Sequence, residues 1–120
     1  MMTLLEQEII NQLKFHSYGM PVRRVDLAGK LRSKRLLLSR DDRAMRKAIE
    51  ELRKKGFLVC HGGKDGVEGY YLAASKAEYE AFRVREYKSR IISLAETLRE
   101  MDKAAEAKFG EEIQLDLFRI

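Results

Sequence analysis

The sequence has no tryptophan, one proline and one cysteine. With Cys60 alone, no internal disulfide can form, which suits a reducing compartment. With Pro21 the only proline and no Gly/Ser-rich stretch, nothing reads as an interdomain linker. Apolar runs are short. None approaches the roughly 18 residues that span a membrane. Glu6 and Glu8 break the N-terminal apolar run, so no signal peptide is expected. These absences point to a cytoplasmic protein without membrane contact. The material for catalysis is equally thin. His16 and His61 stand far apart, and Cys60 and His61 have no further ligands at zinc spacing. No P-loop, Gly-x-Ser-x-Gly or metalloprotease motif occurs. We therefore expect no enzyme activity, no cofactor and no metal.

What the chain does have is positive charge in one place. It carries 24 Lys/Arg against 19 Asp/Glu, a net of +5. Residues 21–55 hold 13 against 5, a net of +8, whereas residues 76–120 hold 9 against 10. A cluster of this kind suits an anionic partner better than general solubility does.

The cluster centres on residues 39–55. Met45, Ala48, Ile49 and Leu52 recur at helical spacing and form one apolar stripe. Arg40, Arg43, Arg46 and Lys47 lie off it. Ser39 is a natural N-cap, Asp41 and Asp42 supply first-turn acid, and Gly56 suits the C′ position. Upstream, residues 3–15 read as a helix capped by Thr3 and Glu6, with Leu4, Leu5, Ile9, Ile10, Leu13 and Phe15 inward. A second helix is expected over Arg23–Leu31, with Val25, Leu27, Ala28 and Leu31 inward, and Leu36, Leu37 and Leu38 are expected to pack the joint that follows.

After Gly56 the period changes. Residues 57–61 and 67–72 read as strands around the glycine-rich turn 62–66, a β-hairpin with Lys64 at its crest and a small, flexible tip. From Ser75 the helical period returns. Val84, Tyr87, Ile91, Leu94, Leu98, Met101 and Ala105 alternate spacings of three and four without a break, an a/d seam over three heptads. A helix over 76–108 is about 50 Å long, too long for so small a domain to bury. Pairing with a second copy, as a homodimer, is the expectation. The tail after Gly110 is short, yet it holds Ile113, Leu115, Leu117, Phe118 and Ile120.

The order of helix, helix, basic helix and hairpin is that of a winged helix. The run Arg46–Val59, followed by Gly69-Tyr70-Tyr71-Leu72-Ala73, resembles many bacterial and phage winged-helix domains over roughly residues 3–75. The expected fold is α+β and mostly α: a winged helix-turn-helix over 1–75, a long helix over 76–109, and an extended tail over 110–120. The tail sequence Gln114-Leu115-Asp116-Leu117-Phe118 resembles the sliding-clamp-binding peptide of bacterial replication and repair proteins, Gln-Leu-(Ser/Asp)-Leu-Phe, at all five positions.

These resemblances imply a phage- or prophage-type DNA-binding accessory factor of replication or repair, tethered to the sliding clamp and associated with the nucleoid. Arg40, Arg43, Arg46 and Lys47 are expected in the major groove, with Lys64 on a neighbouring groove. Arg23, Arg24, Lys30, Arg32, Lys34 and Arg35 are expected near backbone phosphates. A dimeric transcriptional regulator would use the same DNA face and seam without the tail. A protein-interaction adaptor would use the fold without DNA.

Overall fold

The computed structural model describes residues 1–110. The chain is α+β and mostly helical. Helices α1 (Leu4–Leu13), α2 (Arg24–Ser33) and α3 (Arg43–Lys54) precede an antiparallel hairpin, β1 (Val59–Gly62) and β2 (Gly69–Leu72). Helices α4 (Lys76–Arg83) and α5 (Ser89–Phe109) follow. One compact unit runs from Met1 to Phe82, and a second begins at Arg83.

In α1 the Thr3 hydroxyl accepts the Glu6 N–H at 3.1 Å. Ile9, Ile10 and Leu13 are buried. Leu4 and Phe15, expected inward, are exposed. At about 100° per residue, Leu4 points away from Ile9 and Leu13, and α1 ends before Phe15. Glu6 is a buried charge in this unit, and it pairs with Lys55 at the far end of α3. Lys55 holds the Glu6 carboxyl below its ordinary value against the opposing effect of burial, and Thr3 adds to the lowering.

Helix α2 buries Leu27, Ala28 and Leu31. Val25, also expected inward, is exposed because it lies two residues, or about 200°, from Leu27. The helix closes with the Arg35 N–H on the Arg32 carbonyl at 2.9 Å and the Leu36 N–H on Leu31 at 3.0 Å. That paired closure needs a left-handed residue, and here Arg35 takes it at φ 59°. Of the three leucines that follow, Leu37 enters the core and Leu38 faces solvent. Helix α3 closes in the same way, with Gly56 at φ 95° giving its N–H to Arg53 and Phe57 giving its N–H to Leu52. Its stripe of Met45, Ala48, Ile49 and Leu52 is fully inward, as the sequence expects.

The hairpin is covered on both sides. Val59 and Tyr70 join the three-helix core. Cys60 and Tyr71 face the other way and pack with Phe82 of α4. Phe82 is why the first unit extends past residue 75. Val22 adds a bridge to the hairpin: its N–H reaches the Tyr70 carbonyl at 2.9 Å, and its carbonyl receives the Tyr70 N–H at 2.8 Å. A Cβ on Gly69 would lie 2.5 Å from the Val22 carbonyl oxygen, so this close approach requires glycine there. The hairpin tip is a 3₁₀ turn, Lys64–Gly66, and the Lys64 N–H bonds the Tyr18 carbonyl at 3.2 Å.

In the second unit the seam is interrupted. Val84–Lys88 form a π turn, in which the Ser89 N–H reaches back five residues to Val84. The Ser89 hydroxyl bonds the same carbonyl at 2.8 Å. A π turn holds an extra residue, so Val84 and Tyr87 fall out of phase with Ile91, Leu94, Leu98 and Met101. The unbroken seam expected from the spacing is therefore a seam from Ile91 onward. These four side chains are exposed. Gly110 ends α5 in the left-handed conformation. Among the described residues, no helix is long and apolar enough to cross a membrane.

Candidate nucleic-acid interface

The expected start of the central helix moves. Helix α3 begins at Arg43, three residues later than a Ser39 cap requires. A helix from Ser39 would need the carbonyls of residues 39–41 for amides four residues on. Here they accept from Arg32. Its Nε donates to the Ser39 carbonyl at 3.0 Å, and its Nη2 to the Arg40 and Asp41 carbonyls. Arg32, expected near phosphates, is thus a strut that shapes the loop entering α3. Ser39 donates to the Asp41 carbonyl and carboxylate, and Asp41 accepts the Arg43 N–H at 3.1 Å. That N–H, then the Ser39 hydroxyl and the charges on Arg43 and Arg46, hold the Asp41 carboxyl below its ordinary value.

Arg40 therefore lies in the loop, while Arg43, Arg46 and Lys47 lie on the exposed side of α3. Among the described residues, no carboxylate lies within ion-pair distance of Arg40, Arg43 or Lys47. Arg24, at the start of α2, and Arg46 share Asp42, each Nε at 2.9 Å from one carboxylate oxygen. A cleft of about 290 Å³ lies between α2 and the loop, lined by Arg24, Val25, Ala28, Arg32, Arg40, Asp41 and Asp42. The buried phenol of Tyr70 feels the same charges. Burial raises its phenol pKa, while Arg53, Arg24 and Arg46 oppose that shift and Asp42 reinforces it.

The other expected contacts are placed less uniformly. Arg23 pairs with Asp26 at 2.9 Å beside the α2 start. Lys34 is drawn to Glu8 of α1 at 3.0 Å, and together with Gln12 it lowers the Glu8 carboxyl pKa. Arg35 is exposed at the left-handed end of α2, and Lys64 is exposed in the hairpin turn. The expected clamp-binding residues Gln114, Leu115, Asp116, Leu117 and Phe118 lie outside the described residues.

Sequence reasoning missed three residues here. Asp42 reads as a helix cap, but it bridges two arginines. Arg32 reads as a phosphate contact, and Tyr70 as a strand former. Each role depends on pairings between distant elements, which local spacing does not encode. Comparison with protein-family models, with curated proteins and with solved structures finds no match to this chain.

Proposed function

We propose that the first unit is a winged-helix DNA-binding module, with α3 as the helix that enters the major groove and the β1–β2 turn as the wing. The observation that carries this reading is the exposed set of Arg40, in the loop entering α3, and Arg43 and Lys47, on it, with no carboxylate within ion-pair distance among the described residues. Unpaired guanidinium and ammonium groups gain most from phosphate oxygens and guanine edges. Lys64 on the wing and Arg23 and Arg24 at the α2 start extend the positive surface to either side.

The same reading makes the chain a phage- or prophage-type accessory factor of replication or repair. The Gln114–Phe118 segment would tether it to the bacterial sliding clamp, with Leu117 and Phe118 as apolar anchors. Two linked weak contacts raise effective concentration without new surface. The exposed stripe Ile91, Leu94, Leu98 and Met101 serves as a homodimer seam in this scheme.

The test uses the full chain against purified sliding clamp and against a mixed-sequence duplex. The reading expects micromolar or tighter binding to both, with clamp binding lost in Leu117→Ala/Phe118→Ala and DNA binding retained. DNA binding without clamp binding would favour the dimeric regulator. Clamp binding without DNA binding at low salt would favour the adaptor.

A further inference from the structure

Asp42 occupies the N-cap of α3, where a carboxylate ordinarily accepts a backbone N–H from the first turn. Its side chain accepts none, and the N–H of Arg43, the first residue of the helix, goes to Asp41. Asp42 is committed elsewhere. Its Oδ2 lies 2.9 Å from Arg24 Nε, and its Oδ1 lies 2.9 Å from Arg46 Nε. The two arginines come from different helices. The Asp42 side chain is 21% exposed, but those of Arg24 and Arg46 are 55% and 54% exposed. Each guanidinium spends its Nε edge on Asp42 and keeps its terminal nitrogens for an outside partner. Such a fork matches the O6/N7 edge of guanine as well as a phosphate.

A fixed carboxylate treats those two partners differently. Attraction to the DNA backbone is a charge effect that any sequence shares, and Asp42 subtracts from it. Contact with a base edge depends on where the fork points, and Asp42 fixes the direction. Specificity is a difference of affinities and can be raised by weakening the wrong contacts. We propose that Asp42 is the specificity-determining residue of this face: a built-in anion that aligns the Arg24 and Arg46 forks and suppresses their sequence-blind attraction to phosphate. This proposal rests on the DNA-binding reading above. A purely structural ion pair between α2 and α3 makes the opposite forecast, because its loss would loosen the face and weaken binding to every sequence.

The test compares the wild-type full chain with Asp42→Asn. Asp42→Ser, which keeps an N-cap side chain, serves as the second variant, and thermal unfolding checks that each folds. Two readouts are needed: affinity for a mixed-sequence duplex across a salt series, and the spread of enrichment after selection from a randomised duplex pool. The proposal expects mixed-sequence affinity to rise about tenfold and the salt slope to steepen by about 1 to 2, near 0.9 per added phosphate contact. The enrichment spread should narrow. Adding Arg24→Gln to Asp42→Asn should return the slope toward the wild-type value. Folded variants with equal or weaker affinity for mixed sequence, or with an unchanged enrichment spread, would overturn the proposal and leave the DNA-binding reading intact. A wild-type chain that binds no duplex at low salt would end that reading, and the proposal with it.

Discussion

The two units use similar apolar residues in opposite ways. Up to Phe82, the stripes of α1, α2 and α3 meet one another and the hairpin, and the side chains of Ile9, Leu13, Leu27, Leu31, Met45 and Leu52 have no exposed surface. From Arg83 to Gly110 no residue is buried, although Ile91, Leu94, Leu98 and Met101 recur as regularly as any stripe before them. Periodicity selects a helix in both regions. It makes a core only where a second element stands against the stripe. The first unit supplies that element from its own sequence, and the second presents an exposed apolar face.

The largest effect should separate the units by stability. Leu52→Ala removes a fully buried side chain from α3 and should destabilise the first unit by about 2–5 kcal/mol, read by denaturant unfolding. Leu98→Asp on α5 should leave that transition in place. If α5 pairs with a second copy as proposed, the same variant should abolish concentration-dependent self-association in sedimentation equilibrium. If Leu98→Asp lowered the main unfolding transition as much as Leu52→Ala, the contrast between the units would fail.

Acid should act chiefly on the first unit. The carboxyls of Glu6, Glu8 and Asp41 have pKa values below their ordinary ones in the folded chain. The unfolded chain then binds more protons as pH falls. The stability these groups contribute is present above the ordinary values of 4.5 and 3.8 and is lost as pH drops through the lowered ones. Glu6→Gln should therefore flatten the loss of stability below about pH 4.5 in a series of thermal melts. An equally steep loss would mean that the Glu6–Lys55 pair is not a source of it.

The smallest effect sharpens the comparison within the first unit. Helices α2 and α3 end in the same closure, but Gly56 takes the left-handed position in one and Arg35 in the other. Arg35→Gly should raise stability by up to about 1 kcal/mol by relieving that conformation. If Arg35 also meets phosphate, the same variant should bind DNA less tightly, so that stability and affinity move apart.

Much of this was legible locally. The stripe of α3, its Gly56 closure and the hairpin between residues 57 and 72 follow from spacing and glycine placement. The failures have physical causes. Leu4, Phe15 and Val25 are apolar residues off their stripes, and apolar identity alone does not turn a side chain inward. Helix α3 starts at Arg43 rather than after Ser39, and the carbonyls of Ser39, Arg40 and Asp41 accept instead from Arg32, seven to nine residues away, a pairing that local spacing does not show. The Val22 bridge to Tyr70 is a single residue pair and leaves no alternation to read. The π turn keeps the residue types of a heptad seam while shifting their phase. The cations of the candidate interface were visible as a cluster. Which of them pair, Arg24 and Arg46 among the described residues, depends on where Asp42 lies, and sequence distance does not give that.

In the proposed reading the exposed side of α3 binds DNA. Its most direct test is the salt dependence of duplex binding by the wild-type chain and by Arg43→Ala/Lys47→Ala, followed by fluorescence anisotropy. Contact through α3 should give weaker binding by the variant and a salt slope shallower by about 2, near 0.9 for each lost phosphate contact. Identical affinity and slope in the two proteins would contradict it and move any DNA contact off α3.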